Sequence, residues 1–237
     1  AILCGIQWFE ACFHQLSPQT RICWFVKEGD TISAGQELCR VKGNTRSLLT
    51  AERSALNFLQ TLSAVATQTS IYVNKITGTR ALIVDTRKTI PGLRLAQKYA
   101  VRCGGGSNHR MGLYDGILIK ENHIRSAGGI QAAINAAKVI TPKGLSIQVE
   151  VETKDGLFKA IDAGARMILL DNFEINDLRD SVNSVEGITN KKVILEASGG
   201  ITLDNVREVA ETGIDRISIG SISKNIRAID FSMTFIT

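Results

Sequence analysis

The stretch that decides the fold of this chain is residues 79–125, which holds two strongly patterned pieces. The first, T-R-A-L-I-V-D-T-R-K-T-I-P-G-L-R, occupies residues 79–94, and the second, R-C-G-G-G-S-N-H-R-M-G-L-Y-D-G-I-L-I-K-E-N-H-I-R, occupies residues 102–125. Each contains a short apolar run, Ala81–Val84 or Ile117–Ile119, that ends directly in charged or hydroxyl side chains. A short apolar run with polar boundaries is typical of a buried strand, so both runs predict strands with polar chemistry at their carboxyl ends.

This stretch also concentrates the positive charge of the chain. It holds nine Lys and Arg residues against three Asp and Glu residues, a net charge of +6, whereas all 237 residues together carry +5. Cations at strand ends, rather than at the helical spacing of a solvated surface, suit the binding of several phosphates or carboxylates. The pI is near 9, but aromatic residues make up only 5% and no arginine-rich tail is present. We therefore expect a small polyanion as ligand and no nucleic acid.

Strand and helix patterns alternate from about residue 71 onward. The predicted strands are Ala81–Val84, Ile117–Ile119, Ile147–Val151, Met167–Leu170, Val193–Glu196 and Arg216–Ile219, and the predicted helices between them are Leu93–Cys103, Ile130–Val139, Asp155–Ala163, Ile175–Val185 and Leu203–Glu211. Such alternation predicts an α/β fold with a parallel sheet and right-handed crossovers. A seventh strand near Ile71–Lys75 would give a TIM-like barrel, although the pattern alone also allows an open doubly wound sheet.

Polar chemistry follows every predicted strand. The groups are Asp85-Thr86-Arg87-Lys88, Lys120, Glu150 with Glu152, Asp171-Asn172, Glu196 with Ser198-Gly199-Gly200, and Gly220-Ser221. Capping would explain one or two of these groups but not six, and barrel active sites lie at that face. The last two turns are each expected to run into a helix start, where backbone N–H groups can bind a phosphate.

The first 70 residues predict a smaller α+β domain. Ile2–Phe13 has the spacing of an amphipathic helix, and Arg21–Val26 and Glu37–Val41 are strand-like. This segment resembles half of a biotinyl or lipoyl carrier, but it lacks the apolar-flanked lysine that carriers modify, so we interpret it as structural. A second helix is predicted to start at Thr50 as N-cap, which puts Arg53 in the first turn, where a cation is unfavourable. The misfit indicates that Arg53 serves something other than its helix.

The number and spacing of the cysteines indicate the cellular compartment. Five cysteines are an odd number, and none forms a C-x-x-C pair, so we expect neither a disulfide framework nor a metal framework, and a cytoplasmic location fits best. No apolar run approaches the ~18 residues that a membrane span needs. The start at Ala1 lacks the basic residues and cleavage site of a signal peptide, so no membrane partner is expected.

Three long motifs, in order, resemble the quinolinate phosphoribosyltransferase family. They are D-T-R-K-T-x-P-G-L-R from Asp85, G-G-G-x-N-H-R-x-G-L-x-D from Gly104, and L-I-K-E-N-H-I from Leu118. The resemblance continues to the end of the chain. It implies a TIM-like, incomplete, seven-stranded α/β barrel at residues 71–221 and an N-terminal α+β sandwich domain at residues 1–70. It also implies that this domain is completed by residues 222–237 and that the family's first helices precede residue 1.

The resemblance also implies a reaction. The family joins quinolinate to 5-phosphoribosyl 1-pyrophosphate and releases pyrophosphate and CO2, giving nicotinate mononucleotide for NAD biosynthesis; the enzymes are decarboxylating pentosyltransferases. Residue by residue, quinolinate is assigned to Arg87, His109, Arg110 and Lys120, pyrophosphate to Lys88, and phosphate to Ser198, Gly199, Gly200, Gly220 and Ser221. Arg53 would come from the partner subunit of a homodimer.

Two carboxylates complete the implied site. Glu150 and Asp171 would hold the ribose hydroxyls and a Mg²⁺, directly or through water, and with Lys88 and Lys120 they form the predicted catalytic set. A protonated His109 or Lys120 is a hypothesis for the acid that protonates the ring carbon after decarboxylation. We interpret His123 as a residue that orients the Lys120 loop.

Three alternatives stay open. A related phosphoribosyltransferase could act on nicotinate or another heterocyclic acid, although four cationic side chains, Arg53, Arg87, Arg110 and Lys120, favour a diacid. A phosphate-binding barrel lyase or synthase would share the last two turns but needs a catalytic Lys or a Glu acid–base pair in an apolar pocket. A phosphosugar-binding module without activity would have no use for Glu150 and Asp171 beside the cations.

Overall fold

The structure is a computed structural model that describes residues 1–188 and 193–236. These residues pack into two units. Unit 1 comprises Ala1–Ile71, Lys88–Gly106 and Ser221–Thr237, and unit 2 comprises Tyr72–Arg87 and Ser107–Gly220. The domain boundaries predicted from the sequence stay a prediction, and the units add that residues 88–106 pack with unit 1.

The elements alternate as the patterns predict. In chain order they are α1 (Ile6–Leu16), β1 (Arg21–Trp24), β2 (Cys39–Lys42), α2 (Thr45–Lys75), β3 (Leu82–Val84), α3 (Arg94–Cys103), β4 (Ile117–Ile119), α4 (Glu121–Ala127), α5 (Ile130–Ile140), β5 (Ile147–Val151), α6 (Lys154–Asp162), β6 (Met167–Asp171), α7 (Ile175–Ile188), β7 (Ile194–Ser198), α8 (Val206–Glu211), β8 (Arg216–Ser218) and α9 (Ser221–Lys224). Among the described residues, no helix is both long and apolar enough to cross a membrane.

Unit 1 is built on the antiparallel pair β1–β2 and on two helices. Phe9 and Phe13 of α1 are buried four residues apart, and Ala55 and Leu59 of α2 show the same spacing, so each helix presents one apolar stripe to a common core. Phe231, from the C-terminal segment, packs against this core.

Helix α2 begins earlier than the sequence predicts. Its first residue is Thr45, and the Asn44 side-chain oxygen accepts the backbone N–H of Arg46 at 3.1 Å, as an N-cap does. The prediction that Thr50 is the N-cap is therefore wrong, since its hydroxyl donates to the carbonyl of Arg46 at 2.8 Å inside the helix. Arg53 lies in the third turn, and the argument from the helix dipole does not apply to it.

The predicted seventh strand is also wrong. Residues 71–75 are the last turns of α2. Tyr72 and Ile76, four residues apart, are both buried, which is the spacing of one helical face rather than the alternation of a strand.

Unit 2 contains one sheet of six parallel strands in the order β3-β8-β7-β6-β5-β4. From β4 to β8, each strand lies beside the strand that follows it in the chain. The first strand of this sheet, β3, lies beside its last strand, β8. This is the cyclic order of an α/β barrel, whereas a doubly wound sheet reverses its order at a switch point. No strand pairing joins β3 to β4 in the described part of the chain, so the barrel is incomplete and has six strands.

The inside of the sheet is polar at one level. Gln148 of β5 donates its side-chain N–H to Oε2 of Glu196 on β7 at 3.1 Å, although these strands are not hydrogen-bonded neighbours. Side chains from alternate strands meet in this way inside a barrel. Arg216 of β8 adds its Nε at 3.2 Å from the same carboxylate oxygen. Gln148 and Glu196 both lie next to the ring of His109, one of the predicted site residues.

Candidate active site

The parallel strands of unit 2 end at one edge, and the predicted site residues of this unit follow them. Lys120 comes directly after β4 and is the N-cap of α4, whereas Glu150 lies near the end of β5. The Lys120 ammonium lies 3.0 and 2.7 Å from the two carboxylate oxygens of Glu150. Two predicted site residues from neighbouring strands are therefore in direct contact.

Asp85 organises the segment that follows the three glycines. It is fully buried, and its two carboxylate oxygens accept the Asn108 side-chain N–H at 2.6 Å and the His109 backbone N–H at 2.8 Å. Ser107 donates its N–H to the carbonyl of Ile83 at 2.8 Å, which fixes the same segment along β3. Asp85 was predicted only as an acid at a strand end; the signal for its role was its place as the first residue after a buried strand.

The ring of His109 is held at both nitrogens. Nδ1 lies 2.8 Å from the backbone N–H of Arg110 and must accept it, so the proton resides on Nε2, which donates to Oε1 of Gln148 at 2.9 Å. In this arrangement His109 positions the Arg110 backbone, and both of its ring nitrogens are engaged by groups of the protein itself. The geometry does not support the hypothesis that His109 protonates the ring carbon. Its assignment as a substrate contact stays a prediction.

A buried carboxylate lies beneath His109. Glu196 is fully buried, and its Oε1 lies 3.7 Å from His109 Nε2 and has no hydrogen-bond partner among residues 1–188 and 193–236. The predicted strand ended at Glu196, but β7 continues to Ser198. Glu196 is therefore a buried residue in the middle of the strand and not a residue at its end. No role was predicted for Gln148; the signal for one was that it is a polar residue two positions before Glu150, on the same face of a buried strand.

Arg110 lies close enough to Arg87 to be affected by its charge. Burial, and next the nearby charge of Arg87, lower the pKa of the Arg110 guanidinium, while Asp115 and Glu150 oppose the shift. One Arg110 nitrogen, Nη1, donates to the carbonyl of Gly116 at 3.0 Å, which fixes the guanidinium. Two neighbouring guanidiniums suit the binding of a planar, multiply charged anion.

His123 orients the Lys120 loop, as predicted. Its Nδ1 accepts the backbone N–H of Lys120 at 2.9 Å. This bond fixes the start of α4 and thereby the direction in which the Lys120 side chain leaves the backbone.

Asp171 lies beside the first glycine turn. Asn172 has a left-handed backbone (φ 56°), donates its N–H to the carbonyl of Ser198 at 2.9 Å, and donates its side-chain N–H to the Asp171 carboxylate at 3.1 Å. A Cβ on Gly199 would overlap the side-chain oxygen of Asn172, so this turn requires glycine. The turn does not run into a helix as predicted, because α8 begins only at Val206.

We expect Gly199→Ala to lower the free energy of unfolding by about 2–3 kcal/mol, because steric overlap with Asn172 adds to an unfavourable φ of +92°. Gly200→Ala is the matched control: its φ is +59°, but a Cβ there meets no atom within 4 Å, so the cost should be about 1 kcal/mol. Urea unfolding of both variants measures the difference. Equal losses would mean that Asn172 moves aside.

The second glycine turn follows β8. The N–H of Ile219 donates to the carbonyl of Val84 at 3.0 Å, which brings Gly220 to the end of β3. Helix α9 begins at the next residue, Ser221, so this turn does run into a helix start as predicted.

Three predicted site residues belong to unit 1, namely Arg53, Lys88 and Ser221. Arg53 is exposed on α2, on the side opposite the buried Ala51 and Ala55, and within the described residues it has no ion-pair partner. Lys88 is exposed, and its carbonyl accepts the hydroxyl of Ser223 at 2.9 Å. The other predicted site residues all belong to unit 2 and lie near the ends of its strands or follow them or, for His109 and Arg110, follow the Ser107 bridge to β3: Arg87, His109, Arg110, Lys120, Glu150, Asp171, Ser198, Gly199, Gly200 and Gly220.

Comparisons with known proteins cover both units. Residues 1–63 match the family model for the N-terminal domain of quinolinate phosphoribosyl transferase, and residues 65–234 match the model for its C-terminal domain. The chain is 42% identical over 207 residues to a probable nicotinate-nucleotide pyrophosphorylase (carboxylating) of Bacillus subtilis, covering 87% of this chain and 70% of that protein. It is 40% identical over 213 residues to the corresponding enzyme of Mycobacterium leprae, covering 90% and 74%. The solved nicotinate-nucleotide pyrophosphorylase of Francisella tularensis superposes with a TM-score of 0.91 at 47% identity, covering 97% of this chain and 80% of that one.

Proposed function

Because this chain belongs to the quinolinate phosphoribosyltransferase family, we propose that it uses the strand-end cations of unit 2 to bind quinolinate and 5-phosphoribosyl 1-pyrophosphate. The protein is a decarboxylating pentosyltransferase of NAD biosynthesis. The observation that carries the substrate assignment is the proximity of Arg87 to Arg110: burial, and next the charge of Arg87, lower the pKa of Arg110. An anion with two adjacent carboxylates would stabilise the charged form of Arg110 and suits two planar guanidiniums.

The number of cations favours a diacid over nicotinate. Arg110 and Arg87 supply two guanidiniums, and Lys120 supplies an ammonium that now pairs with Glu150 at 2.7 Å. A monoacid could engage only one of the two guanidiniums in this way, whereas a diacid could engage both.

Ribosyl transfer needs charge stabilisation rather than a general base. The pyridine nitrogen attacks the anomeric carbon with its own lone pair, while the bond from that carbon to the pyrophosphate oxygen breaks. The ribose becomes cationic in the transition state, and Glu150 and Asp171 provide fixed negative charge near it. The glycine turns at Gly199–Gly200 and at Gly220–Ser221 would hold the 5-phosphate through backbone N–H groups.

Decarboxylation then uses the charge that the first step created. The bond from the ring to the carboxylate beside the nitrogen breaks, CO2 leaves, and the electron pair stays on the ring carbon, stabilised by the cationic nitrogen. A proton must then reach that carbon. Both ring nitrogens of His109 are engaged, whereas the Lys120 ammonium has three N–H groups and gives at most two of them to Glu150, so Lys120 is the better candidate for the donor.

The residues present fit a Mg²⁺ ion. Glu150 and Asp171 lie near the ends of the adjacent strands β5 and β6 and offer only oxygen ligands. Mg²⁺ is commonly bound by one or two carboxylates together with substrate phosphates and water. When bound, the ion would neutralise charge on the departing pyrophosphate. Lys88, exposed after β3, would contact the same group.

The assembly and compartment are further proposals. We propose a homodimer in which Arg53 serves the partner's site, because Arg53 is an exposed cation without an ion-pair partner in the described residues and Leu49, one turn earlier on α2, is 56% exposed. We place the enzyme in the cytoplasm because its five cysteines are free thiols, as in a reducing compartment.

The experiment that tests the function is CO2 release from carboxyl-labelled quinolinate. Release should require both 5-phosphoribosyl 1-pyrophosphate and Mg²⁺, and pyrophosphate should appear in equal amount. Labelled nicotinate, with its single carboxylate, should neither bind detectably nor release CO2. Turnover of nicotinate would favour the related phosphoribosyltransferase, and no turnover of either acid would refute the proposal.

We expect Glu150→Gln and Asp171→Asn to reduce kcat by about 10- to 100-fold and to change KM much less, because each keeps its shape but loses the charge that stabilises the ribosyl cation. Glu152→Gln is the matched control, since this exposed carboxylate follows β5 two residues after Glu150. Steady-state kinetics with both substrates distinguishes the outcomes. If only KM rises, the carboxylates bind substrate and the electrostatic argument is wrong.

A further inference from the structure

Unit 1 contains a cluster of ionisable side chains that the reaction does not use. Cys4 precedes α1, Glu28 lies in the loop after β1, and Cys103 is the last residue of α3. Their ligand atoms, two thiol sulfurs and one carboxylate oxygen, all lie within 4.8 Å of one another. Three segments distant in sequence thus bring together two thiols and a carboxylate.

The backbone holds two members of the cluster in place. The Cys4 N–H donates to the hydroxyl of Ser63 at 2.9 Å, and this hydroxyl donates back to the Cys4 carbonyl at 3.1 Å. The Glu28 carboxylate accepts the N–H of Gly5 at 2.7 Å and the N–H of Ile6 at 3.0 Å. Each carboxylate oxygen has a second lone pair, so Glu28 can still act as a ligand.

The three groups are in mutual contact. The Cys4 thiol is hydrogen-bonded to Cys103, and the Glu28 carboxylate lies near both sulfurs. Packing would explain one buried cysteine, but not a second thiol and a carboxylate facing it. A divalent cation is a ligand that two thiolates and a carboxylate can share.

The spacing suits a tetrahedral ion. With Zn–S bonds of about 2.3 Å and a Zn–O bond of about 2.0–2.2 Å, the ligand atoms of a tetrahedral zinc site are separated by roughly 3.5–3.8 Å. The cluster, with all separations at or below 4.8 Å, needs to contract by about 1 Å at most. Thiolate ligands select Zn²⁺ and related soft ions over Mg²⁺.

We propose that Cys4, Glu28 and Cys103 form a binding site for Zn²⁺ or a similar thiophilic divalent cation, with water in the fourth position. Binding converts both thiols to thiolates and releases their protons to solvent. Cys103 is only partly buried, so the ion can enter from its side. The site is separate from the proposed Mg²⁺ carboxylates, which belong to unit 2.

The test uses the full chain, metal-free and kept reduced by a phosphine, titrated with Cd²⁺ and separately with Zn²⁺. We expect thiolate-to-cadmium charge-transfer absorption that saturates at one equivalent and does not fall when excess Mg²⁺ is added. Zn²⁺ should raise Tm. Loss of the signal in excess Mg²⁺, or no saturable signal, would overturn the proposal.

Two variants locate the site. Cys103→Ser should abolish the one-equivalent signal, whereas Cys23→Ser, which removes an exposed thiol of β1 near Cys39, should keep it. The reverse pattern would place the ion on β1 and β2 and overturn the assignment. Should Cys103→Ser not fold, Glu28→Gln provides the answer: Cd²⁺ affinity should fall at least tenfold while the absorption per bound ion is retained. Unchanged affinity in Glu28→Gln, or a Cys4–Cys103 disulfide in place of metal uptake, contradicts the proposed ligand set.

Discussion

Replacing Arg110 with alanine should weaken quinolinate binding by about 2–5 kcal/mol, or roughly thirtyfold to several thousandfold, since one member of a desolvated charge pair is lost. The guanidinium is fixed by the carbonyl of Gly116 and lies near Arg87, so it is already oriented for a carboxylate before the ligand arrives. Arg110→Lys keeps the charge but loses the planar fork, and its affinity should fall between those of the wild type and the alanine variant. Arg87→Ala should behave like Arg110→Ala.

Calorimetric titration of each ligand separately checks this expectation. Affinity for 5-phosphoribosyl 1-pyrophosphate should change much less than affinity for quinolinate. Arg179→Ala is the control for general loss of positive charge, because Arg179 is exposed on α7 and donates to the nearby Asn176 side chain at 3.3 Å. An unaltered quinolinate affinity in Arg110→Ala would remove Arg110 from the diacid site.

Mixing two inactive variants, Arg53→Ala and Lys120→Ala, should restore about a quarter of the wild-type activity. Each variant alone is expected to be nearly inactive. In a mixed dimer with shared sites, one site receives an intact Arg53 and an intact Lys120, while the other collects both lesions. Random equal mixing makes about half of the dimers mixed, with one working site of two.

The outcome distinguishes the two placements of Arg53. If Arg53 serves its own subunit, every site in a mixed dimer keeps one lesion and activity stays at the level of the parents. Differently tagged variants, co-purified through both tags, show that mixed dimers have formed. Tm values of the parents serve as the folding control. Mixed dimers without recovered activity would refute the shared site.

The barrel strands could be predicted from the sequence because each is a short apolar run between polar residues. Ile117–Ile119 and Ile147–Val151 were predicted to the residue, and the other strands within two residues. The error at residues 71–75 has a physical cause, because a β-branched, apolar stretch at the end of a long helix looks like a strand locally. Only the burial of Tyr72 and Ile76 on one face decides for the helix.

Site residues that carry a charge at the end of a strand could be predicted from the sequence. The buried residues inside the sheet that hold the site residues in place could not. Lys120 and Glu150 were both predicted, yet nothing in the sequence indicates that they contact each other. Gln148 and Glu196 were missed as a pair because their contact depends on how the sheet curves, which brings non-neighbouring strands together. His109 was predicted as a ligand contact, but the direction of its ring nitrogens is set by the Arg110 N–H and by Gln148, which itself donates to Glu196.

The gap between β3 and β4 leaves this sheet with two edges, and an exposed edge is a template for β-pairing with another chain. Ser107 covers part of one edge, since it bridges Val84 in parallel and exchanges backbone hydrogen bonds with β3. The other edge strand, β4, is only three residues long, which limits its use as a template. The segment that carries His109 and Arg110 therefore also protects the protein against aggregation, and loop changes that detach Ser107 should lower solubility before they unfold the sheet.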